Sequence, residues 1–230
     1  MRTSPLDVLY EDNHLLAVSK PCGVVTMGLR DGRSTLLTEA KDYIKRKYAK
    51  PGNVYLGIVS RLDAPVTGIV LLARTSKAAR RLSEQFRERL VKKTYLAFVE
   101  GQLTPRQDEL VDWLRKDERH RRMHVAPPES PADGAPSEAK LARLRYQRKK
   151  RVGDDSLLEV QLLTGRKHQI RVQLASRGHP ILGDVKYGSR RKFPRGIALH
   201  AWRLIVEHPV RHEPLEIVAP IPTYWPEVGL

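Results

Sequence analysis

The apolar positions of this 230-residue chain change their period several times, and each change predicts an element. Leu15 to Ser19, LLAVS, predicts a short strand, and Pro21 with Gly23 imposes a turn behind it. From Ser34, read as an N-cap, Leu37, Tyr43 and Ile44 mark apolar positions of a helix through TLLTEAKDYIKRKY. Ile69 to Ala73, IVLLA, shows no alternation, the pattern of a strand covered on both faces. Thr75 or Ser76 then caps SKAARRLSEQFRERL, where Ala79, Leu82, Phe86 and Leu90 form a stripe opposite an Arg-rich face. Tyr95 to Val99 returns to strand.

Residues 106–139 break the pattern. RKDERHRR is a dense charge run, and PPESPADGAPS holds four prolines and one glycine in eleven residues. Such a segment buries little and predicts a charged, Pro-rich loop or insertion. Beyond it, Leu141 to Tyr146 and Leu157 to Leu163 predict one hairpin around Gly153, Asp154 and Asp155. Thr164 is read as the cap of a helix through HQIRVQLAS that Gly178 stops, and Ile197 to Glu207 and Leu215 to Val218 as closing strands. Strands outnumber helices, and hairpins mix with crossovers. The expected class is α+β, with a large mixed, mostly antiparallel sheet flanked by helices and loops, in a single domain over 1–230.

Charge narrows the function. Lys and Arg total 42 against 26 Asp and Glu, a net +16. Residues 140–230 carry 18 basic and 8 acidic groups. A field of this sign attracts polyanions, which leaves RNA, DNA and an anionic membrane open. Cys22 is the only cysteine, so no internal disulfide forms and a reducing compartment fits. The sequence has no apolar stretch of about 20 residues, and its start lacks a hydrophobic signal core. The cytoplasm is the expected location. No zinc-type Cys/His spacing and no GxxxxGK[ST] or GxGxxG motif is present.

Asp63, with Arg61 nearby, precedes one of the most apolar runs in the chain, GIVLLA. A carboxylate at a core edge needs water, a cap or a partner. Arg171, beside the apolar positions Ile170 and Leu174, is a candidate partner. Such a pair serves either as a structural ion pair or as an oriented nucleophile. Tyr95 is either a core side chain or a ring on which a base stacks. Lys20, between Ser19 and Pro21, is a third candidate or an ordinary surface lysine.

These residues stand in segments that resemble a known family. RLDAPVTGIVLLA, from Arg61 on, resembles the RLDxxTSG motif of the RluA-type pseudouridine synthases. SKPCGVV is similar to their Lys-Pro-x-Gly element, and KTY at 93–95 to their Lys-x-Tyr element. LLTGRKHQIRVQLASRGHPILGDVKYG resembles their long third block, and ALHAWRLIVEHPV the strand after it. The five segments run in family order from about residue 6 to 222.

The resemblance implies an isomerase that breaks the C1′–N1 bond of uridine in RNA, turns the base and rejoins it through C5. It implies that Asp63 is the essential aspartate, acting on the sugar or the base. Tyr95 stacks on the uracil and helps remove the C5 proton, and Arg171 pairs with the aspartate. Ile170 packs beside the base, and Arg61 helps fill the space that the flipped base leaves. Lys20, His168 and Gln169 complete the implied substrate-binding set. No cofactor or metal is implied. The partner is structured RNA, ribosomal or transfer, with no membrane and no obligatory protein partner, and the expected state is a monomer. Ser60, Val66-Thr67, Lys167 and Gln173 depart from the family pattern and bear on the substrate more than on the reaction. The resemblance starts too early for an S4-type RNA-binding domain in front of it, so grip on RNA is expected from the domain itself. Two other classes stand beside this one: an RNA-binding module without catalysis, and an RNA glycosidase that releases free uracil.

Overall fold

The structure is a computed structural model and describes residues 6–28, 34–120, 122–126 and 138–226. In chain order the elements are β1 (Val8–Glu11), β2 (Leu15–Lys20), α1 (Leu36–Lys47), β3 (Gly57–Ile58), β4 (Thr67–Ala73), α2 (Ser76–Arg87) and β5 (Lys92–Val99). There follow β6 (Gln107–Asp117), β7 (Arg122–Val125), β8 (Lys140–Val152), β9 (Asp155–Leu162), α3 (Gln169–Ala175), a 3₁₀ turn (Val185–Tyr187), β10 (Leu199–Glu207) and β11 (Pro214–Val218). The chain divides into two compact units, residues 1–92 with 201–221 and residues 93–200 with 222–230. The described helices and antiparallel ladders give the α+β class that the pattern predicted.

In the first unit β2 lies between β1 and β4, β10 lies on the other side of β4, and β11 pairs with β10. All seven residues of β4 are buried. Ile69, Leu71 and Ala73 point to one face and pack with Ala78 and Leu82 of α2. Val70 and Leu72 point to the other and pack with Leu36, Ala40 and Ile44 of α1. A helix on each face explains why IVLLA lacks alternation. Each fully enclosed Leu contributes roughly 1.5–3 kcal/mol. Gly68 is the point of closest approach: a Cβ there would lie 2.2 Å from the Ala201 carbonyl oxygen, and its φ is +108°. Only glycine fits both conditions.

The N-cap of α1 is Thr35, one residue after the expected Ser34. Thr35 Oγ1 accepts from the Thr38 N–H at 3.3 Å, and Thr38 Oγ1 accepts from the Thr35 N–H at 2.8 Å, a reciprocal capping box. Helix α2 starts at Thr75 as predicted but stops at Arg87 instead of continuing to Leu90. Arg89 adopts φ 62°, the Arg89 N–H donates to Phe86 O and the Leu90 N–H to Gln85 O. This Schellman arrangement closes the helix and leaves Leu90 65% exposed.

In the second unit the strand order is β5-β9-β8-β6-β7, antiparallel throughout. The loop expected over 106–139 is corrected for 107–117 and 122–125, which form β6 and β7. Leu110 and Leu114 share one buried face of β6, and the charges occupy positions between and beyond them, so a dense charge run still fits a half-buried strand. Residues 127–137, the whole of the Pro-rich stretch, lie outside the described residues. Val172 of α3 packs with Leu114, Met123 and Ala142 on that buried face.

Candidate active site

Asp63 lies in the loop between β3 and β4, half-buried, with Arg61 exposed two residues before it. Both of its neighbours are fastened. The Leu62 carbonyl accepts from Thr26 Oγ1 at 2.9 Å, and the Leu62 N–H donates back to the same oxygen at 3.3 Å. The Ala64 carbonyl accepts from the Gly23 N–H at 2.8 Å and from Lys20 Nζ at 3.1 Å. Lys20 Nζ also donates to Pro21 O at 3.0 Å and Val24 O at 2.9 Å. Ahead of the loop, Ser60 Oγ accepts from the Leu71 N–H at 2.9 Å. After it, Val66 N–H closes a turn onto Asp63 O at 3.1 Å. The end of β2 and the turn behind it thus hold the backbone on both sides of one carboxylate.

Lys20 is 0% exposed. Its ammonium sits in a ring of carbonyl oxygens, the environment a buried charge requires. Through the Ala64 carbonyl this side chain is tied to the loop that carries Asp63.

In the second unit Tyr95 is a half-buried residue of β5, opposite Val160 of β9. His168, Gln169, Ile170 and Arg171 are consecutive at the start of α3. His168 is the N-cap, held at φ 52° without a side-chain cap bond, so the expected capping role of Thr164 is also corrected. Thr164 instead donates through Oγ1 to Gln169 Oε1 at 2.8 Å, and its Oγ1 accepts from the Arg143 N–H at 2.9 Å. Gln169 is 3% exposed, accepts also from the Arg166 N–H at 3.0 Å and donates to Arg143 O at 3.0 Å. It ties the GRKHQ turn to β8. Ile170 is buried.

Arg171 is 5% exposed and makes a two-point ion pair with Asp184, Nε to Oδ2 at 2.7 Å and Nη2 to Oδ1 at 2.8 Å. Its guanidinium carbon lies 5.0 Å from the centre of the Tyr187 ring. The Tyr187 hydroxyl accepts from the Met123 N–H at 3.0 Å and shares a 2.7 Å hydrogen bond with His168 Nδ1. Arg171 is thus fixed in plane and in depth by Asp184 and Tyr187, neither of which the sequence reading singled out. One signal was available: Asp184 is the only carboxylate between Glu159 and Glu207, among ten Lys and Arg. A buried guanidinium in that stretch has no other local counter-charge. No group of three or more metal-ligating side chains occurs among the described residues.

Residues 14–176 match the family model for RNA pseudouridylate synthase, and the chain belongs to that family. It is 34% identical over 94% of its length to the "Uncharacterized RNA pseudouridine synthase YhcT" of Bacillus subtilis, spanning 69% of that relative. It is 36% identical over 95% of its length to the ribosomal large subunit pseudouridine synthase D of Xylella fastidiosa, spanning 66% of that relative. Among solved structures it is similar to "Human RNA Pseudouridylate Synthase Domain Containing 4", with TM-score 0.80 and 26% identity over 95% of this chain and 89% of that one.

Proposed function

We propose that this chain converts uridine in structured RNA, ribosomal or transfer, to pseudouridine, with residues 1–230 working as one catalytic domain. The observation that carries the reading is the clamp around Asp63: Leu62 and Ala64 are both pinned, so the carboxylate between them is presented from a fixed backbone. Fixed presentation is what separates a reacting carboxylate from a surface one.

The reaction balances without any co-reactant. The C1′–N1 bond breaks, the base turns, C1′–C5 forms, C5 loses its proton and N1 gains one. Asp63 acts on the sugar side, by addition to C1′ or by removal of a 2′ proton; deuterium at C2′ separates the routes by its isotope effect. Tyr95 takes the flipped uracil on its ring and helps remove the C5 proton. Base–aromatic stacking supplies about 1–3 kcal/mol toward unstacking. Arg171, set by Asp184, steers the Asp63 carboxylate. Arg61, exposed, fills the gap left in the RNA stack. Ile170 forms the apolar wall, and His168 borders it. The protein acts as a monomer in the cytoplasm, without an obligatory protein partner.

Asp63→Asn is the test. On transcripts of ribosomal and transfer RNA the variant loses pseudouridine formation by on the order of 10⁴-fold or more while RNA affinity stays within about twofold. Equal activity in Asp63→Asn would reject the proposal. Release of free uracil by the wild type would make the chain a glycosidase, and RNA binding with no product a binding module.

A further inference from the structure

The second unit concentrates cations at one end, away from Tyr95. Strand β8 carries four in succession, Arg148 to Arg151. A regular strand would alternate them between faces, but a bulge lies here. Arg148 pairs with Leu158 and Lys150 with Leu157, so Lys149 is the extra residue. Lys150 and Arg151 are exposed. The hairpin then turns at Gly153, φ 58°, and Gln102 Nε2 holds the tip through Gly153 O at 2.8 Å.

A second basic run, RRKFPR at 190–195, is fastened to the same tip. Arg191 Nη2 lies 3.1 Å from Asp154 Oδ2, and its Nη1 3.2 Å from Asp155 Oδ2. Glu100 Oε1 accepts from the N–H groups of Arg190 and Arg191, at 2.8 and 3.0 Å, and from the Ser189 hydroxyl at 2.6 Å. The backbone of the run is therefore set, while Arg190, Lys192 and Arg195 are exposed. The two runs hold eight cations against four carboxylates, Glu100, Asp154, Asp155 and Glu159. Exposed ion pairs of this kind stabilise little, and unmatched like charges repel. Fold stability does not account for the cluster; a polyanion does.

Position along the strand says which part of the polyanion. Tyr95 pairs with Val160, and β9 begins at Asp155. Five residues at about 3.4 Å place the tip roughly 17 Å along the strand from Tyr95. That is roughly five nucleotide steps of a stacked strand. We propose that the β8–β9 tip and the 190–195 run form a docking surface for the phosphate backbone of the substrate RNA flanking the target uridine. The surface adds affinity at a distance from the reacting base. It rests on the reading of this protein as an RNA-modifying enzyme.

The variant Lys150→Gln/Arg151→Gln/Arg190→Gln/Lys192→Gln removes four exposed charges. A control, Lys45→Gln/Lys50→Gln/Lys77→Gln/Arg80→Gln, removes four exposed charges from the first unit. Binding to a 30-base-pair RNA duplex is followed by fluorescence anisotropy across a salt series. In the tip variant the slope of log affinity against log salt falls by about 2–3, each lost phosphate contact removing ~0.9, and binding at ~0.1 M salt weakens by about 100-fold or more. The control changes neither, and kcat on saturating RNA transcripts is unchanged in the tip variant. Unchanged slope in the tip variant, or an equal loss in the control, overturns the docking surface. Pseudouridine formed by the wild type alongside equal slopes removes the surface and leaves the reaction. A lowered slope with no pseudouridine from the wild type removes the reaction and leaves the surface.

Discussion

An ammonium with no exposed surface needs acceptors within reach, and Lys20 finds three backbone carbonyls, one of them from the residue after Asp63. Lys20→Met keeps the stem and removes the donor. Carbonyls left without a partner destabilise by about 1–3 kcal/mol, and the Asp63 loop loses one of its ties. The expected result is a kcat lower by about 10- to 100-fold, the scale of a small misplacement at a reacting group. RNA affinity in a binding assay is expected to change little, because the side chain is 0% exposed. A rise in Kd with unchanged kcat would instead identify Lys20 as a direct RNA contact.

At the level of elements, both long helices end the same way. After α1, Ala49 adopts φ 46°, its N–H donates to Arg46 O, and the Lys50 N–H donates to Lys45 O. After α2, Arg89 does the same with Phe86 and Gln85. Neither position is a glycine, although glycine carries no Cβ penalty there. Ala49→Gly therefore stabilises the first unit, by roughly 1 kcal/mol, read as a shift in the urea midpoint with unchanged slope. The same helices show what the sequence reveals about element ends. Cap-forming residues are visible, but Ser34 and Thr35 are both good caps. The choice fell to Thr35, whose box with Thr38 is completed by geometry. Helix α2 shows a stripe that runs on to Leu90, and a left-handed Arg89 stops it first. Strand β6 was hidden by its charges, since Leu110 and Leu114 alone mark the buried face of an eleven-residue strand.

At the scale of the folded chain, distant segments of the first unit meet at Asp12. Its carboxylate accepts from the N–H groups of His14 and Leu15, both at 2.7 Å, and from the Tyr10 hydroxyl at 2.9 Å. It also lies 2.7 Å from Nε2 of the fully buried His208, 196 residues along the chain. Burial pushes the Asp12 carboxyl up, and these hydrogen bonds more than offset it, holding it at about 2 against an ordinary 3.8. A depressed carboxylate contributes stability that is complete above its unfolded value and is lost as pH falls through its folded one. Asp12 thus stabilises the fold above about 3.8 and loses that contribution toward about 2. Asp12→Asn is less stable at neutral pH, and its unfolding free energy is flatter across that acid window, measured by urea titration at a series of pH values. The tie between Asp12 and His208 is invisible to any local pattern. So is Asp184 as the anchor of Arg171, although its isolation among cations hinted at it. The five ordered family segments were legible because each is contiguous in the sequence. The supports beneath them were not, because Thr26, Lys20 and Asp184 act through backbone atoms or partners that only folding brings near.

The enclosed amine of residue 20 also turns the protein into its own reporter. Reductive methylation or mild acetylation modifies exposed lysines quickly, whereas this one reacts only when the strand end and the neighbouring turn come apart. Its extent of labelling, read by peptide mass, therefore follows local opening at Asp63 directly. Variants that loosen the loop without unfolding the chain show it as early modification of a single peptide.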